Sequence, residues 1–256
     1  MYERLQAIVL SILAMIEMEL RRLRHDPLEI ITRAIQPVLW VSVFGVVMAR
    51  VRAFQGVGDY ITFITPGVIL QSSTFIALAY GISLVFERDL GILKKLVTSP
   101  IPRSSIVIGR ALAGGIRAST QYIIVLASAI AVGAKIIVNP VNLLSGYIFL
   151  IYGCMGFTSL SMILAITMKT RERFMGIIGA ITMPLFFASN ALYPIDVMPG
   201  IIKHLAIINP LTYIVDMLRK LLVYNSCEIL NDIVILTVFV VGVTGIAIKI
   251  LNRIVE

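Results

Sequence analysis

Apolar residues occur along this chain in long blocks, separated by short clusters of charge. Six blocks approach or exceed the roughly 20 residues that an α-helix needs to cross a bilayer. They cover approximately 30–49, 60–86, 105–132, 141–168, 174–192 and 229–249. Ahead of them, Leu5, Ile8, Val9, Ile12, Ile16 and Leu20 recur at helical spacing. Arg21, Arg22 and Arg24 close that stretch, where cations favour a helix C-terminus. The pattern predicts an amphipathic helix over residues 1–27, lying in a membrane interface. Arg4 and the apolar run to Ile16 imitate a signal peptide, but Glu17 and Glu19 follow and no A-x-A site appears. The segment 193–227, between the fifth and sixth blocks, is too long for a plain turn. Within it Leu211, Ile214, Val215, Leu218, Leu221 and Leu222 predict an amphipathic helix with Asp216, Arg219 and Lys220 on its other side. Unpaired charges oppose a full crossing, so this segment is expected at the outer surface, or dipping partway in and returning. The fold class is therefore an all-α integral membrane protein, with six transmembrane helices, an N-terminal interfacial helix and short outer helices between spans five and six.

Composition agrees. The chain has 256 residues, 59% of them hydrophobic and 14% charged, and a mean hydropathy of +0.97; a soluble domain of this size cannot hide so much apolar surface. The net charge of +8 sits in clusters beside the apolar blocks, which is how membrane orientation is encoded, so no nucleic-acid partner is expected. With the N-terminus inside, the inner flanks hold Arg4, Arg21, Arg22, Arg24, Arg33, Arg88, Lys94, Lys95, Arg103, Arg110, Lys169, Arg171, Arg173, Lys249 and Arg253. The outer flanks hold only Arg50, Arg52, Lys135, Lys203, Arg219 and Lys220. Both termini are thus expected in the cytoplasm, in a multi-pass protein of the cell membrane. Cys154 and Cys227 have no metal-ligand spacing and read as packing residues.

Pro37, Pro66 and Pro184 lie in spans, where each frees a backbone carbonyl that a neighbour must satisfy. Each reads as a packing kink, and Pro66 and Pro184 also as flexing points. The pairs Gly153/Gly156 and Gly176/Gly179 would let neighbouring helices approach closely. Gln71, Ser72, Ser73 and Thr74 cluster midway through the second span, with Ser189 and Asn190 near the outer end of the fifth. They either bond their own helices and glue neighbours together, or line a translocation path at a dimer seam. Arg117, about two turns into the third span, either snorkels to the inner interface or pairs across helices, with a substrate role as the minor reading. No carboxylate falls near the middle of a predicted span, which counts against a proton-driven carrier. No Ser/His/Asp or metal cluster can be assembled and no G-x-x-x-x-G-K-[ST] phosphate loop is present, so any ATP-driven action needs another chain.

The longest polar interruption, ERDLGILKKLVTSPIPRSSIVIGR, runs from Glu87 to Arg110. Leu90, Leu93 and Val97 share a helical face, and Ser99-Pro100 and Pro102 stop that helix. The loop is either a solvated positive-inside loop or a docking element. Its residues resemble the first cytoplasmic loop of ABC-2 type transporter permeases, the daunorubicin-resistance-type exporters in particular: Glu87, Arg88, Gly91, Leu93, Leu96, Ser99, Pro100, Arg103, Gly109 and Arg110 match the pattern. Ile92-Leu93-Lys94 departs from the family's frequent Thr-Leu-Glu. Tyr193, Pro194, Met198, Pro199, Asn209, Pro210, Leu211, Thr212, Tyr213, Asp216 and Arg219 resemble the C-terminal signature of the same family, in the right order and spacing. The resemblance implies one ABC-2 transmembrane domain over 1–256, with 87–104 as cytoplasmic coupling loop and 193–227 as outer re-entrant or surface segment. It implies a permease subunit exporting a hydrophobic or amphiphilic substrate, such as a drug, lipid or glycolipid. ATP and Mg would be held by two copies of a separate ATP-binding subunit, with no cofactor on this chain. The permease would pair with itself or a similar subunit, among membrane lipid. Glu87, Arg88, Gly91, Leu93, Lys94, Lys95, Ser99, Pro100 and Arg103 are the implied ATPase-coupling residues. A stand-alone channel or secondary carrier, or a scaffold that binds an ATPase without moving cargo, is the alternative.

Overall fold

The computed structural model describes residues 2–51, 59–92, 95, 101–168 and 170–253, and among them every regular element is helical. Helix α1 (Tyr2–His25) leads into α2 (Pro27–Leu39), where the Asp26 carboxylate caps the start by accepting the Glu29 N–H at 3.2 Å. A π-helical stretch, Trp40–Gly45, follows three residues after Pro37 and carries the chain into α3 (Val46–Val51). Asp59 caps α4 (Tyr60–Ala79), which is followed by α5 (Ile82–Asp89). Two long helices come next, α6 (Arg103–Ala131) and α7 (Pro140–Thr167), the second capped by Asn139. Thr170 caps α8 (Arg171–Phe187). The short helices α9 (Gly200–Ile208) and α10 (Pro210–Arg219) then precede α11 (Leu230–Arg253).

Among the described residues, four helical segments are long and apolar enough to cross a membrane by themselves: Leu28–Val51, Tyr60–Asp89, Pro140–Thr167 and Leu230–Asn252. A fifth arises if the bent pair Gly200–Ile208 and Pro210–Tyr224, at 80° to each other, is counted as one broken span. The other two expected spans are present as helices of different character. Helix α6 has 29 residues, ample length, but carries Arg103, Arg110 and Arg117. Helix α8 has 17 residues, about 26 Å of rise against a hydrocarbon core of about 30 Å. It stops at Phe187 rather than Leu192, because Pro184 lies in its last turn and the Ser189 hydroxyl turns back to the Phe186 carbonyl at 2.7 Å.

The second span is likewise not one uninterrupted helix. At Tyr80–Gly81 the Ser161 hydroxyl of α7 enters the ladder, accepting the Gly81 N–H at 2.9 Å and donating to the Leu78 carbonyl. A side chain inserted in this way breaks the helical repeat and bends the chain. Gly81 has no room for anything larger, since a Cβ there would stand 2.8 Å from the Ser161 carbonyl oxygen.

Helix α4 is the axis of the molecule. Apart from Phe75 it is buried along its whole length, the condition of a helix that is apolar on every face. It packs on α6, α7 and α10, while α11 packs on α7 and α10. Glycines set these distances: a Cβ at Gly115 of α6 would lie 2.7 Å from the Ile151 carbonyl of α7, and one at Gly153 would meet Ile214. Gly156 does the same against Phe239 of α11. The small-residue pair in α7 therefore works within the chain, whereas Gly176 and Gly179 of α8 face open space.

Helix α1 corrects the apolar stripe expected from the sequence. Met15 and Glu19 are buried against the body, and Met15 packs over Gly109 of α6, while Val9, Leu10, Leu13 and Leu20 are exposed. The side chain of one carboxylate therefore belongs to the packed face, for a reason that lies on α6. Helix packing at Gly67 gives a direct test. A Cβ there would lie 2.8 Å from backbone atoms of Ala191, so Gly67→Val should lower stability by roughly 1–3 kcal/mol. Gly176→Ala should leave the melting temperature in detergent unchanged, and equal melting of the two variants would refute the packing.

Candidate functional site

The base of the polar loop is bolted to the bundle. Glu87, at the end of α5, forms a buried ion pair with Arg110 of α6. Arg88 reaches α7 and donates to the carbonyls of Ala165 at 3.2 Å and Met168 at 2.6 Å, satisfying acceptors that a helix end leaves open. Asp89 meets Arg171 at 3.2 Å, and the Arg171 guanidinium lies 3.7 Å from the centre of the Phe86 ring. Gly91 then takes a positive φ of 70°, which glycine adopts without steric cost and which ends α5 instead of letting it run through the loop. Helical geometry resumes at Ile92 and is found again at Lys95. Leu90 and Ile92 are exposed beside this turn. Leu93, Lys94, Ser99 and Pro100 lie outside the described residues, and Arg103 opens α6.

The polar residues expected along a path are all inside the bundle. Gln71, Ser72, Ser73 and Thr74 are buried in α4; Ser72 bonds back to the carbonyls of Val68 and Ile69, and the hydroxyls of Ser73 and Thr74 have no partner. Both side-chain polar atoms of Gln121 in α6 are unpartnered too. Ser189 and Asn190 are buried at the end of α8, and Asn190 donates to the Asp216 carboxylate of α10 at 2.5 Å.

The outer motif builds a corner. The Asn209 side chain caps α10, accepting the Leu211 N–H at 3.0 Å, and donates to the carbonyls of Leu185 and Ala188 at 2.7 and 3.0 Å. Pro210 opens α10, where its missing N–H costs nothing. The Tyr213 hydroxyl donates to the Ile207 carbonyl at 2.6 Å, and that of Tyr193 to the Phe187 carbonyl. Pro194 precedes the 3-10 turn Ile195–Val197, and Pro199 precedes α9.

Arg219 departs from the amphipathic reading: it is buried with the apolar face, not opposite it. It donates to the carbonyls of Phe63 and Asn190 at 3.3 and 3.0 Å, lies 3.9 Å from the centre of the Phe63 ring, and faces Asp216 at 3.6 Å. Lys220 pairs with Asp232 of α11 at 2.7 Å. With these charges compensated, α10 sits within the helical body, packed on α4, α7 and α11, rather than as a helix laid on a surface.

Arg117 is settled by its partners. It pairs with Glu19 of α1 and with Glu29 of α2, while the hydroxyl of Tyr80, just past α4, donates to Glu19 at 3.2 Å and Arg33 donates to Glu29 at 2.9 Å. One guanidinium thus ties α1 and α2 to α6. Sequence reasoning missed Glu19 and Glu29 as its partners; the available signal was Glu19 at i+4 from Met15 on a helix next to an arginine-bearing span. Among the described residues, no group of three or more His, Cys, Asp and Glu side chains could hold a metal ion.

The ABC-2 type transporter family profile matches residues 11–223. This chain belongs to the ABC-2 type transporter family. Over 224 residues it is 29% identical to the transport permease ycf38 of Porphyra purpurea, covering 86% of this chain and 76% of the relative. The doxorubicin resistance ABC transporter permease protein DrrC of Mycobacterium tuberculosis is 24% identical over 209 residues, 78% of this chain and 72% of that protein. The daunorubicin resistance ABC transporter permease protein DrrB1 of Streptomyces coeruleorubidus is 24% identical over 204 residues, 78% and 70%. The ABC-2 chain is accordingly a multi-pass membrane permease subunit of an ABC transporter, a family whose permeases work with an ATP-binding subunit.

The Arg117 cluster yields a stability test. Arg117→Ala leaves Glu19, which is fully buried, without its cation, a change expected to cost about 3–5 kcal/mol. Adding Glu19→Gln and Glu29→Gln to that variant should recover most of the loss in thermal unfolding in detergent; a triple variant as unstable as the single one would count against the pairing.

Proposed function

We propose that this permease exports a hydrophobic or amphiphilic substrate, a drug, lipid or glycolipid, from the cell membrane. ATP and Mg act on two copies of a separate ATP-binding subunit, and the permease pairs with itself or with a similar chain. Both termini face the cytoplasm, and the membrane is crossed six times, with α6 and α8 as the third and fifth spans. The arginines of α6 support its crossing because Arg110 and Arg117 are paired.

The observation that carries this reading is the anchorage of the loop. A push on the segment after Gly91 reaches α6 through Glu87–Arg110, α7 through Arg88 and α8 through Asp89–Arg171. Exposed Leu90 and Ile92 offer the ATP-binding subunit an apolar contact beside those charges. Work is thereby transmitted by packing and ion pairs, and the permease hydrolyses nothing itself.

The cargo path is proposed at the seam between two permeases. An open groove of about 700 Å³ on α2 and its π-helical stretch, lined by Ile35, Gln36, Leu39, Trp40, Val43 and Phe44, supports apolar cargo contacts there. Edge-on packing of Trp40 against Phe186, with ring centres 6.2 Å apart, brings α8 beside that groove. Gln71–Thr74 would join the path only if α4 parts from its neighbours, since all four side chains are buried within the single chain.

Gly91→Pro and Leu93→Asp should each abolish co-purification with the ATP-binding subunit and ATP-driven efflux of an amphiphile from vesicles, while insertion and melting stay normal. Undiminished association in both variants would reject the coupling role of this loop. Efflux by the purified permease without ATP would instead favour a stand-alone carrier.

A further inference from the structure

Between α1, α2, α4 and α5 lies a half-open cavity of about 450 Å³. Its charged wall is made by Arg22 and His25 at the end of α1 and by Asp26, Glu29 and Arg33 at the start of α2, with Arg117 of α6 beside them. Its other wall is mainly hydrocarbon, Ile76 and Ala79 of α4 with Ile82 and Phe86 of α5, and includes the hydroxyl-bearing Tyr80 and Ser83.

Most acceptors of the charged wall are engaged, Asp26 through one oxygen only among the described residues. Glu29 takes Arg117 and Arg33. Asp26 takes the Glu29 N–H as the cap of α2, and Glu19, behind Arg117, takes that arginine and Tyr80. Donors are left over. Arg33 uses its Nε on Glu29, leaving its terminal nitrogens, and Arg22 has no acidic partner among the described residues. His25 uses Nδ1 on the Arg21 carbonyl at 2.7 Å.

A cavity with surplus guanidinium donors on one side and hydrocarbon on the other fits a molecule with an anionic head and an apolar tail. We infer that it binds the phosphate-bearing head group of an acidic membrane phospholipid. Arg22 and Arg33 hold the phosphate, and the upper acyl chain lies along Ile82 and Phe86. The lipid comes from whichever leaflet meets α1, the cytoplasmic one under the orientation proposed above. Its phosphate sits beside the Glu29–Arg117 pair and steadies the joint of α1, α2 and α6.

The test uses the full chain, delipidated in detergent and titrated with phosphatidylglycerol, with phosphatidylcholine of the same acyl chains, and with inorganic phosphate, read by native mass spectrometry. Phosphatidylglycerol should bind about tenfold more tightly than phosphatidylcholine, and Arg22→Gln should weaken it by about tenfold, one charge-assisted contact. Arg24→Gln removes the same charge from an exposed position that does not line the cavity, and should leave binding near the parent value. Equal binding of the two lipids would overturn the inference, as would equal losses in the Arg22 and Arg24 variants, which would mean diffuse surface attraction. Full displacement of phosphatidylglycerol by millimolar phosphate would also overturn it, in favour of a free anion. None of these readouts involves the ATP-binding subunit or transport, so they fail or succeed independently of the proposed function.

Discussion

A charge is tolerated inside an apolar helical body only when a partner meets it there, and this fold is arranged around three arginines that obey that condition. Arg117 collects Glu19 and Glu29, Arg110 collects Glu87, and Arg219 collects Asp216 and two backbone carbonyls. Arg117 and Arg110 find their partners on other helices, while Arg219 joins Asp216 of its own helix to the carbonyls of Phe63 and Asn190. The cost of an unpaired buried ion is several kcal/mol, so each arginine specifies which helices must be neighbours more sharply than apolar contact can. Leucine faces tolerate sliding; a guanidinium on a carboxylate does not.

The three clusters hold different parts of the molecule. The Arg110 and Arg88 contacts hold the base of the polar loop, at the end of α5, to α6 and α7. The Arg117 cluster fastens α1 to α2 and α6. The Arg219 network closes the opposite end, where Asn190, Phe63 and Asp216 meet around α10. Close glycine contacts at Gly81 and Gly115 bring the helices between these ends to near backbone contact with α7, and packed interiors of this kind deform little.

The motif residues read differently in three dimensions than along the chain. Glu87 and Arg88 stand in a polar loop and look like a docking surface, yet both turn inward and satisfy groups on other helices. Beside them Leu90 and Ile92 are exposed, on either side of the turn at Gly91. Asn209, Pro210 and Tyr213 likewise prove to be the geometry of a sharp corner: a cap, a helix start and a hydroxyl bonded back across the bend.

Much was legible without coordinates. Block hydropathy predicts the long helices at 30–49, 60–86, 105–132, 141–168 and 229–249, close to where α2–α3, α4–α5, α6, α7 and α11 lie, because apolar length and helical satisfaction of the backbone are local properties. The family was readable too, from two motifs whose spacing survives along the chain. Hidden from that reading were the break at Gly81, the burial of Arg219 and the partners of Arg117. All three depend on a group brought in by another helix. A hydroxyl, a carboxylate or a ring arriving from far along the chain changes what a charge or a bend costs, and no window of neighbouring residues contains that information. Amino-acid order by itself settled the helices and the kinship; the pairing of buried charges, and with it the arrangement of those helices, was decided only when the folded chain brought the partners together.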